Sequence, residues 1–279
     1  HVATLVVRDS LGSTTTETVP VDVAPRAFTK SVPIKIRNVH GTAEHPYIIE
    51  GLEISGYAEN GIEVEDSSYV VIRHNLISGV SGSIDTPGFR SNAIWITNSS
   101  NITVSSNLVQ ENWRGIAISA TPGEPQLEEI RIEGNVVIGQ SVDASILVRG
   151  ADGVEVIGNR VVDNGDIRYF AEHRIGGIAI WDSNNIVVRD NLAEGSSSDG
   201  IGIAVSREVL EVAPDRRSRS VTVIGNTVRD NGEQGIWLSQ VQGGEIASNL
   251  SIGNITRIPG LGSSGINLEG RTHGLLIHD

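Results

Sequence analysis

Short runs of alternating apolar and polar residues recur along most of the chain, and seven of them end at an asparagine. The seven asparagines are Asn75, Asn107, Asn135, Asn159, Asn191, Asn226 and Asn249. Five and three positions before them lie apolar pairs such as Ile102 with Val104 and Ile186 with Val188. A period of two places one set of side chains in a core and the other in solvent, so each run predicts a β-strand.

A second mark precedes each asparagine: a small residue followed by an apolar, a variable and an apolar residue. The small residues are Gly61, Ala93, Gly115, Ser145, Gly177, Gly200 and Gly235. In five of the seven cases the small residue lies 14 positions before its asparagine, and the other two intervals carry insertions. A third strand begins just after the asparagine, as at Leu76 and Leu108. A repeat of short strands without a helical pattern predicts stacked coils, because one coil alone cannot bury its apolar face.

Stacking would bring the seven asparagines into one column at a corner of the coils. Asparagine side chains in a column can bond to one another and to corner backbone groups that would otherwise be buried without partners. Asparagine also tolerates the left-handed backbone that a tight corner needs. We therefore expect an all-β parallel β-helix of about eight coils, spaced about 4.8 Å apart.

The repeats resemble those of the right-handed parallel β-helices of the carbohydrate-binding and sugar-hydrolase (CASH) superfamily. The resemblance covers roughly residues 32–279 and is clearest in 61–75 (GIEVEDSSYVVIRHN), 177–191 (GIAIWDSNNIVVRDN) and 220–238 (SVTVIGNTVRDNGEQGIWL). It implies a right-handed β-helix and a carbohydrate ligand, and the superfamily includes polysaccharide lyases and C5-epimerases. The motif consists of core and corner residues, so it is specific for the fold and weak for an activity.

The two ends of the chain differ from the repeats. Residues 1–23 have the pattern of two strands around residues 9–12. They resemble the last strands of a polycystic-kidney-disease (PKD) repeat, an immunoglobulin-like extracellular module. Because proline interrupts strand pairing, Pro25 suggests a boundary between a module tail at 1–24 and a β-helix at 25–279. Residues 264–268 open an eighth coil that stops at Asp279, so we expect a fragment of a longer protein.

Composition narrows the function classes. The net charge of -13 argues against nucleic acid and anionic membranes as partners. The sequence contains no run of 18 apolar residues, so it predicts no membrane span. The absence of cysteine excludes disulfides and thiolate metal sites. We expect an extracellular or cell-surface protein without a cofactor. Calcium is left open, because acidic residues are plentiful but no spaced loop of oxygen ligands is visible.

Tryptophans mark one outward face of the predicted helix. Trp95, Trp181 and Trp237 occupy outward positions of the strands that follow the small residues. Trp113 lies two residues before Gly115, where the third of these strands begins. Trp95 and Trp237 are five coils apart, which is about 24 Å at the sheet spacing. Exposed indoles in a line favour the stacking of a polysaccharide. The alternative is that a loop or a partner domain covers each ring.

Insertions flank the same strand and could wall a groove. Three of them enter it after Asn75, Asn159 and Asn249, and two leave it at residues 120–127 and 206–218. The richest is 164–176 (NGDIRYFAEHRIG), which leads into the strand of Trp181. With a neighbouring arginine on the same face, it gives five candidate catalytic residues: Arg149, Arg168, Tyr169, His173 and Arg174.

These residue types suit chemistry on uronic acids. The arginines could neutralise the sugar carboxylate, while His173 and Tyr169 could act as base and acid. Elimination would give a lyase, and reprotonation would give a C5-epimerase. The chain lacks the Gly-His-Gly motif with paired aspartates of polygalacturonases and the Asp-Pro-His motif of mannuronan epimerases. A glycosidase that uses Asp182 and Asp199 is a less favoured alternative, since both precede turns.

The sequence thus predicts an extracellular polysaccharide-binding β-helix, with lyase or epimerase activity left open. The alternative is a non-catalytic domain of an adhesin, stalk or filament, in which the rod supplies length. Such a domain would contact other domains of a longer chain and could associate end to end or laterally with copies of itself. The two hypotheses differ in whether the candidate residues converge on one groove.

Overall fold

The computed structural model describes residues 28–82, 91–121, 126–141, 144–164, 176–255 and 263–279, and the backbone of 2–8 and 14–20. Near the amino terminus, Val2–Arg8 pairs antiparallel with Thr14–Pro20. The two strands expected on either side of residues 9–12 are therefore present. Their assignment to a PKD-like module, and the boundary at residue 24, stay predictions.

The rest of the described chain winds through three parallel sheets of nine strands each. Sheet 1, which follows the small residues, contains Ile34–Arg37, Ile62–Glu65, Asn92–Thr97, Arg114–Ser119, Ile146–Arg149, Ile178–Trp181, Ile201–Ala204, Ile236–Ser239 and Ile266–Glu269. Sheet 2, which precedes the asparagines, contains Tyr47–Glu50, Ser68–Arg73, Ser100–Ser105, Leu127–Glu133, Ala151–Ile157, Asn184–Arg189, Ser218–Ile224, Val241–Ala247 and His273–His278. Sheet 3, which follows the asparagines, contains Thr29–Lys30, Leu52–Ser55, Leu76–Ser78, Leu108–Gln110, Val136–Ile138, Arg160–Val162, Leu192–Glu194, Thr227–Arg229 and Leu250–Ile252. Each strand pairs in parallel with the strand one coil away, which confirms the predicted β-helix.

An additional coil precedes those that the sequence marks. Glu53 pairs with Leu76, so Leu52 stands level with Asn75. The backbone N–H of Leu52 donates to Oδ1 of Asn75 at 3.1 Å. The first coil therefore supplies a backbone donor to the asparagine column but has no asparagine of its own. For this reason the repeated asparagine does not reveal this coil in the sequence.

The apolar pairs of all three sheets meet in one continuous core. On sheet 1, Ile94, Ile96, Ile116 and Ile118 are fully buried, and the same holds for Val104 on sheet 2. Adjacent coils bring these residues into register, with Ile94 opposite Ile116 and Ile96 opposite Ile118. The alternation read from the sequence thus separates a shared interior from the outward positions on which any site must be built.

The predicted asparagine column is present as a hydrogen-bonded ladder. Oδ1 of Asn159 accepts from the backbone N–H of Asn135 at 2.9 Å and from its Nδ2 at 3.0 Å. Asn159 donates in turn to Oδ1 of Asn191 at 2.8 Å from the backbone and at 3.0 Å from Nδ2. Its Nδ2 also donates to the carbonyl of Ile132 at 2.9 Å. The same pattern links Asn75, Asn107, Asn135, Asn159, Asn191, Asn226 and Asn249.

A second, interrupted ladder lies at the corner after sheet 3, where the sequence pattern suggests only loops. Asn112 accepts from the N–H of Val80 at 2.9 Å, and Asn254 accepts from the N–H and Nδ2 of Asn231 at 3.1 and 2.9 Å. Asn112, Asn231 and Asn254 each lie five positions after an asparagine of the first ladder. Polar side chains thus hold two corners of the coil.

The described chain also contains one short helix, Arg207–Val212, within the insertion at residues 206–218. Among the described residues, no helix is long and apolar enough to cross a membrane.

Candidate functional site

The outward residues of sheet 1 form two columns that run along the helix axis. Column one contains Lys35, Glu63, Trp95, Ala117, Leu147, Ala179, Gly202, Trp237 and Asn267. Column two contains Arg37, Glu65, Thr97, Ser119, Arg149, Trp181 and Ala204. We call the surface formed by these two columns the tryptophan face.

Three tryptophans lie on this face, as the sequence pattern predicts. Trp95 and Trp237 share column one and are separated by five strand pairings, and Trp181 lies in column two. All three side chains are half-buried, so each keeps part of its ring accessible to solvent. The span from Trp95 to Trp237 is about 24 Å at the sheet spacing.

Small residues occupy much of the surface between the rings. Ala117 and Ala179 are buried, and Gly202 lies directly beside Trp237 in column one. Trp181 and Trp237 border a crevice of roughly 10 Å³, about the space of one water molecule. The crevice is too small for a sugar ring, so a ligand of this face would lie across the rings.

Trp113 belongs to a different environment from the other three. It precedes Arg114–Ser119 at a corner, and its backbone N–H donates to the carbonyl of Val80 at 2.7 Å. Its ring lies directly on Gly82, where a Cβ would come within 2.3 Å of Cδ1. Trp113 therefore packs on backbone beside the tryptophan face and is not a member of its columns.

Arg149 is paired with protein carboxylates. It lies directly beside Trp181, as expected from the repeat. Its Nε donates to Oδ2 of Asp182 at 3.0 Å, and its Nη2 donates to Oγ of Ser206 at 3.0 Å and to Oε2 of Glu208 at 3.1 Å. The pKa of Glu208 is lowered, mainly by a hydrogen bond from its own backbone N–H and also by the charge of Arg149. Burial acts in the opposite direction. The guanidinium thus ties the short helix to the end of sheet 1.

The two aspartates weighed for a glycosidase have backbone partners. Asp182 has a left-handed backbone with φ 57°, and its carboxylate accepts from the N–H and the Oγ of Ser206, each at 2.7 Å. Oδ1 of Asp199 accepts from the N–H of Gln234 at 3.0 Å. Each aspartate therefore accepts from the backbone of the neighbouring coil, so both carboxylates link coils within the protein.

Replacement of Asp182 by alanine is expected to lower the free energy of unfolding by about 2 kcal/mol, because a buried N–H and a guanidinium lose their acceptor and because alanine is strained in a left-handed backbone. Replacement of Glu208 by alanine is expected to change it by less than about 0.5 kcal/mol, since its side chain is 74% exposed. Urea unfolding of the two variants measures the difference. Equal losses would show that the helix contact, rather than the buried corner, carries the stability of this network.

Four of the candidate catalytic residues, Arg168, Tyr169, His173 and Arg174, lie outside the described residues. Their convergence with Arg149 stays a prediction. Within the described ranges, no group of three or more His, Cys, Asp or Glu side chains is arranged to hold a metal ion. Calcium dependence therefore also stays open to experiment.

The family model described as "Right handed beta helix region" matches residues 34–136 and 127–279. The chain therefore belongs to the right-handed β-helix family, in agreement with its three parallel sheets. The narrower assignment to the CASH superfamily remains a resemblance. The comparison with curated protein sequences found no match.

Solved structures share the fold at low identity. The enzymatically active domain of tailspike protein 2 from bacteriophage CBA120 is 12% identical, with a TM-score of 0.49, over 90% of this chain and 42% of that one. The periplasmic alginate epimerase AlgG (D317A mutant) is 13% identical, with a TM-score of 0.43, over 86% of this chain and 58% of that one. PfbA, a surface adhesin of Streptococcus pneumoniae, is 12% identical, with a TM-score of 0.37, over 80% of this chain and 70% of that one. The chain thus spans about half the length of the first two, and the likeness concerns the fold alone.

Proposed function

We propose that this chain is a polysaccharide-binding β-helix of the cell surface or the extracellular space, and that its tryptophan face holds an extended glycan. The observation that carries the proposal is the alignment of Trp95 and Trp237 in one column, with Trp181 in the next. The strands between the two rings are paired with both neighbours, so their register sets the distance between the rings before a ligand arrives.

The chemistry of the face suits a sugar polymer. A half-buried indole offers a flat apolar surface that water solvates poorly, and a pyranose ring can cover it with its C–H groups. Between the two rings of column one lie only apolar residues and a glycine, namely Ala117, Leu147, Ala179 and Gly202. A rigid aromatic platform loses little conformational entropy on binding, which favours an extended ligand that contacts several rings in turn.

Binding is better supported than catalysis by the described residues. Arg149 already contacts Asp182 and Glu208, so its charge is balanced within the protein. Lyase or C5-epimerase activity would depend on Tyr169, His173, Arg168 and Arg174 in the insertion at residues 164–176. This finer proposal needs its own experiment.

The binding test uses affinity gels that contain neutral or uronate polysaccharides. Trp95→Ala and Trp237→Ala are each expected to weaken retention by the bound polymer about tenfold, because the aromatic contact at one end of the span is lost. Trp95→Phe keeps a flat ring and should retain most of the affinity. The proposal fails if no polymer is retained, or if both alanine variants bind like the wild type. Failure to retain any polymer would favour the non-catalytic structural domain.

The catalytic test follows the absorbance of unsaturated uronates during incubation with polyuronates, with and without calcium. A lyase predicts new absorbance that His173→Ala and Tyr169→Phe abolish while binding persists. An epimerase predicts no absorbance and a change in the NMR spectrum of the product. Retention of polymer without either change would identify a binding domain.

A further inference from the structure

A second depression lies on the outer surface of sheet 2, away from the tryptophan face. It has a volume of about 340 Å³ and crosses the second to fifth strands of the sheet, between Tyr69 and Glu155. Ligand sites in proteins occupy clefts of about 300–1,000 Å³, so the depression is large enough to hold part of a ligand. We call it the sheet 2 groove.

Two rows of side chains form the floor of the groove. The first row is Tyr69, Asn101 and Glu129, all of which have a left-handed backbone, with φ of 53°, 56° and 54°. The second row includes Thr103, Arg131 and Glu155, which are level with one another on successive coils. An aromatic ring, an amide, a hydroxyl and carboxylates therefore face the same space at regular spacing. Four coils extend about 14 Å along the helix axis.

A fixed turn forms the wall beside Tyr69. Thr42 and Pro46 line the groove, and the N–H of Thr42 donates to the carbonyl of His45 at 3.1 Å. The turn closes against the sheet at Gly41, where a Cβ would come within 2.8 Å of the carbonyl of Tyr69 and 2.9 Å of two further backbone atoms. Since the wall is held by backbone contacts, the groove is shaped before a ligand binds.

The charges of the groove oppose an anionic ligand. Arg131 contacts Glu133 at 2.7 Å and also contacts Glu155, and the hydrogen bond to Glu133 is the main cause that raises the pKa of Arg131. One guanidinium therefore balances two carboxylates. Glu129 adds a further, exposed carboxylate. This carboxylate lies beside Gly153 of the next coil, where an added Cβ would be 3.1 Å from Oε1. The groove carries a net negative charge, which disfavours uronates and sulfated sugars.

We infer that the sheet 2 groove is a second saccharide site, which binds a short stretch of uncharged sugar residues. The Tyr69 ring covers one face of a sugar. Asn101 and Thr103 can donate to hydroxyl oxygens, and the carboxylate of Glu129 can accept from hydroxyl groups. A polymer of neutral sugars could thus contact sheet 2 independently of the tryptophan face, and the two contacts together would raise the avidity of the chain.

The test titrates the protein with neutral oligosaccharides, namely cello-, manno- and N-acetylglucosamine oligomers, and with oligogalacturonate as the anionic counterpart. Tyr69→Asn and Glu129→Asn are the informative variants, because Asn101 and Asn185 show that asparagine accepts this left-handed position. Each variant is expected to weaken the binding of the neutral ligand at least tenfold, measured by calorimetry. Asn185→Gly alters the same row outside the groove, keeps its left-handed backbone and should bind like the wild type. Oligogalacturonate should bind the groove at least tenfold more weakly than the neutral ligand.

The variants of the two faces separate this inference from the proposed function. Trp95→Ala and Trp237→Ala should leave the site on sheet 2 unchanged. The inference is wrong if Tyr69→Asn and Glu129→Asn bind neutral oligosaccharides like the wild type, or if no neutral oligosaccharide of the panel binds. If only the tryptophan variants lose affinity, the proposed function stands and the second site does not. Circular dichroism and the thermal midpoint of each variant show whether the fold is retained.

Discussion

Replacement of Asn159 by alanine is expected to lower the free energy of unfolding by about 3–5 kcal/mol, because several buried polar groups lose their partners at once. The N–H and the Nδ2 of Asn135 lose their shared acceptor, and the carbonyl of Ile132 loses its donor. Water cannot replace these bonds readily, since Asn159 is 1% exposed in the middle of the stack. Urea unfolding followed by circular dichroism measures the loss.

Two other asparagines provide the scale for this experiment. Asn185 is exposed, bonds to Asp152 and has a left-handed backbone with φ 49°, so Asn185→Gly, which keeps that backbone without strain, should cost less than about 0.5 kcal/mol. Asn249 is the last member of the ladder and is only partly buried, so Asn249→Ala should give an intermediate loss. If Asn159→Ala costs no more than Asn185→Gly, the ladder does not stabilise the stack.

The first ladder could be predicted because each of its members follows a strand with a clear period of two. Each asparagine of the second ladder lies five residues after one of the first ladder. This spacing is also visible in the sequence at Asn112 and Asn231. It is hard to recognise there because Gln140 and Ser196 interrupt the series and because its asparagines look like ordinary loop residues. A column is recognised from sequence only when most of its members share one residue type.

The positions of the tryptophans on sheet 1 also followed from periodicity, since outward residues alternate with buried isoleucines. The same spacing places Asp182 next to Trp181 and so beside Arg149, but it does not reveal the other carboxylate that Arg149 contacts. Glu208 is 59 residues away on an inserted helix. Spacing within a repeat places residues on the same strand or on adjacent coils, but it does not determine how an insertion returns to the sheet.

The sheet 2 groove could not be predicted for a related reason: its wall at Thr42–Pro46 belongs to the coil that lacks the asparagine.

The glycine at position 115, at the start of a strand of sheet 1, has a direct physical cause. At Gly115 an added Cβ would lie 2.1 Å from the carbonyl oxygen of Ser145 and 2.9 Å from its carbonyl carbon. Both atoms belong to the backbone of the next coil, which is held by the hydrogen bond from the N–H of Ile116 to that carbonyl at 2.8 Å. We expect Gly115→Ala to lower the free energy of unfolding by about 3 kcal/mol, because the two coils must separate to admit the methyl group.

Ser145 provides the matched control, because it occupies the equivalent position one coil further and already carries a Cβ. Its hydroxyl is buried and has no hydrogen-bond partner in the part of the chain that the structure describes. Ser145→Ala removes that hydroxyl without adding volume, so it should be neutral or slightly stabilising. Thermal and urea unfolding of the two variants should therefore change in opposite directions or differ by several kilocalories per mole. A loss at Ser145 as large as that at Gly115 would mean that the position is sensitive to any change, and that close backbone approach is not the reason for the glycine.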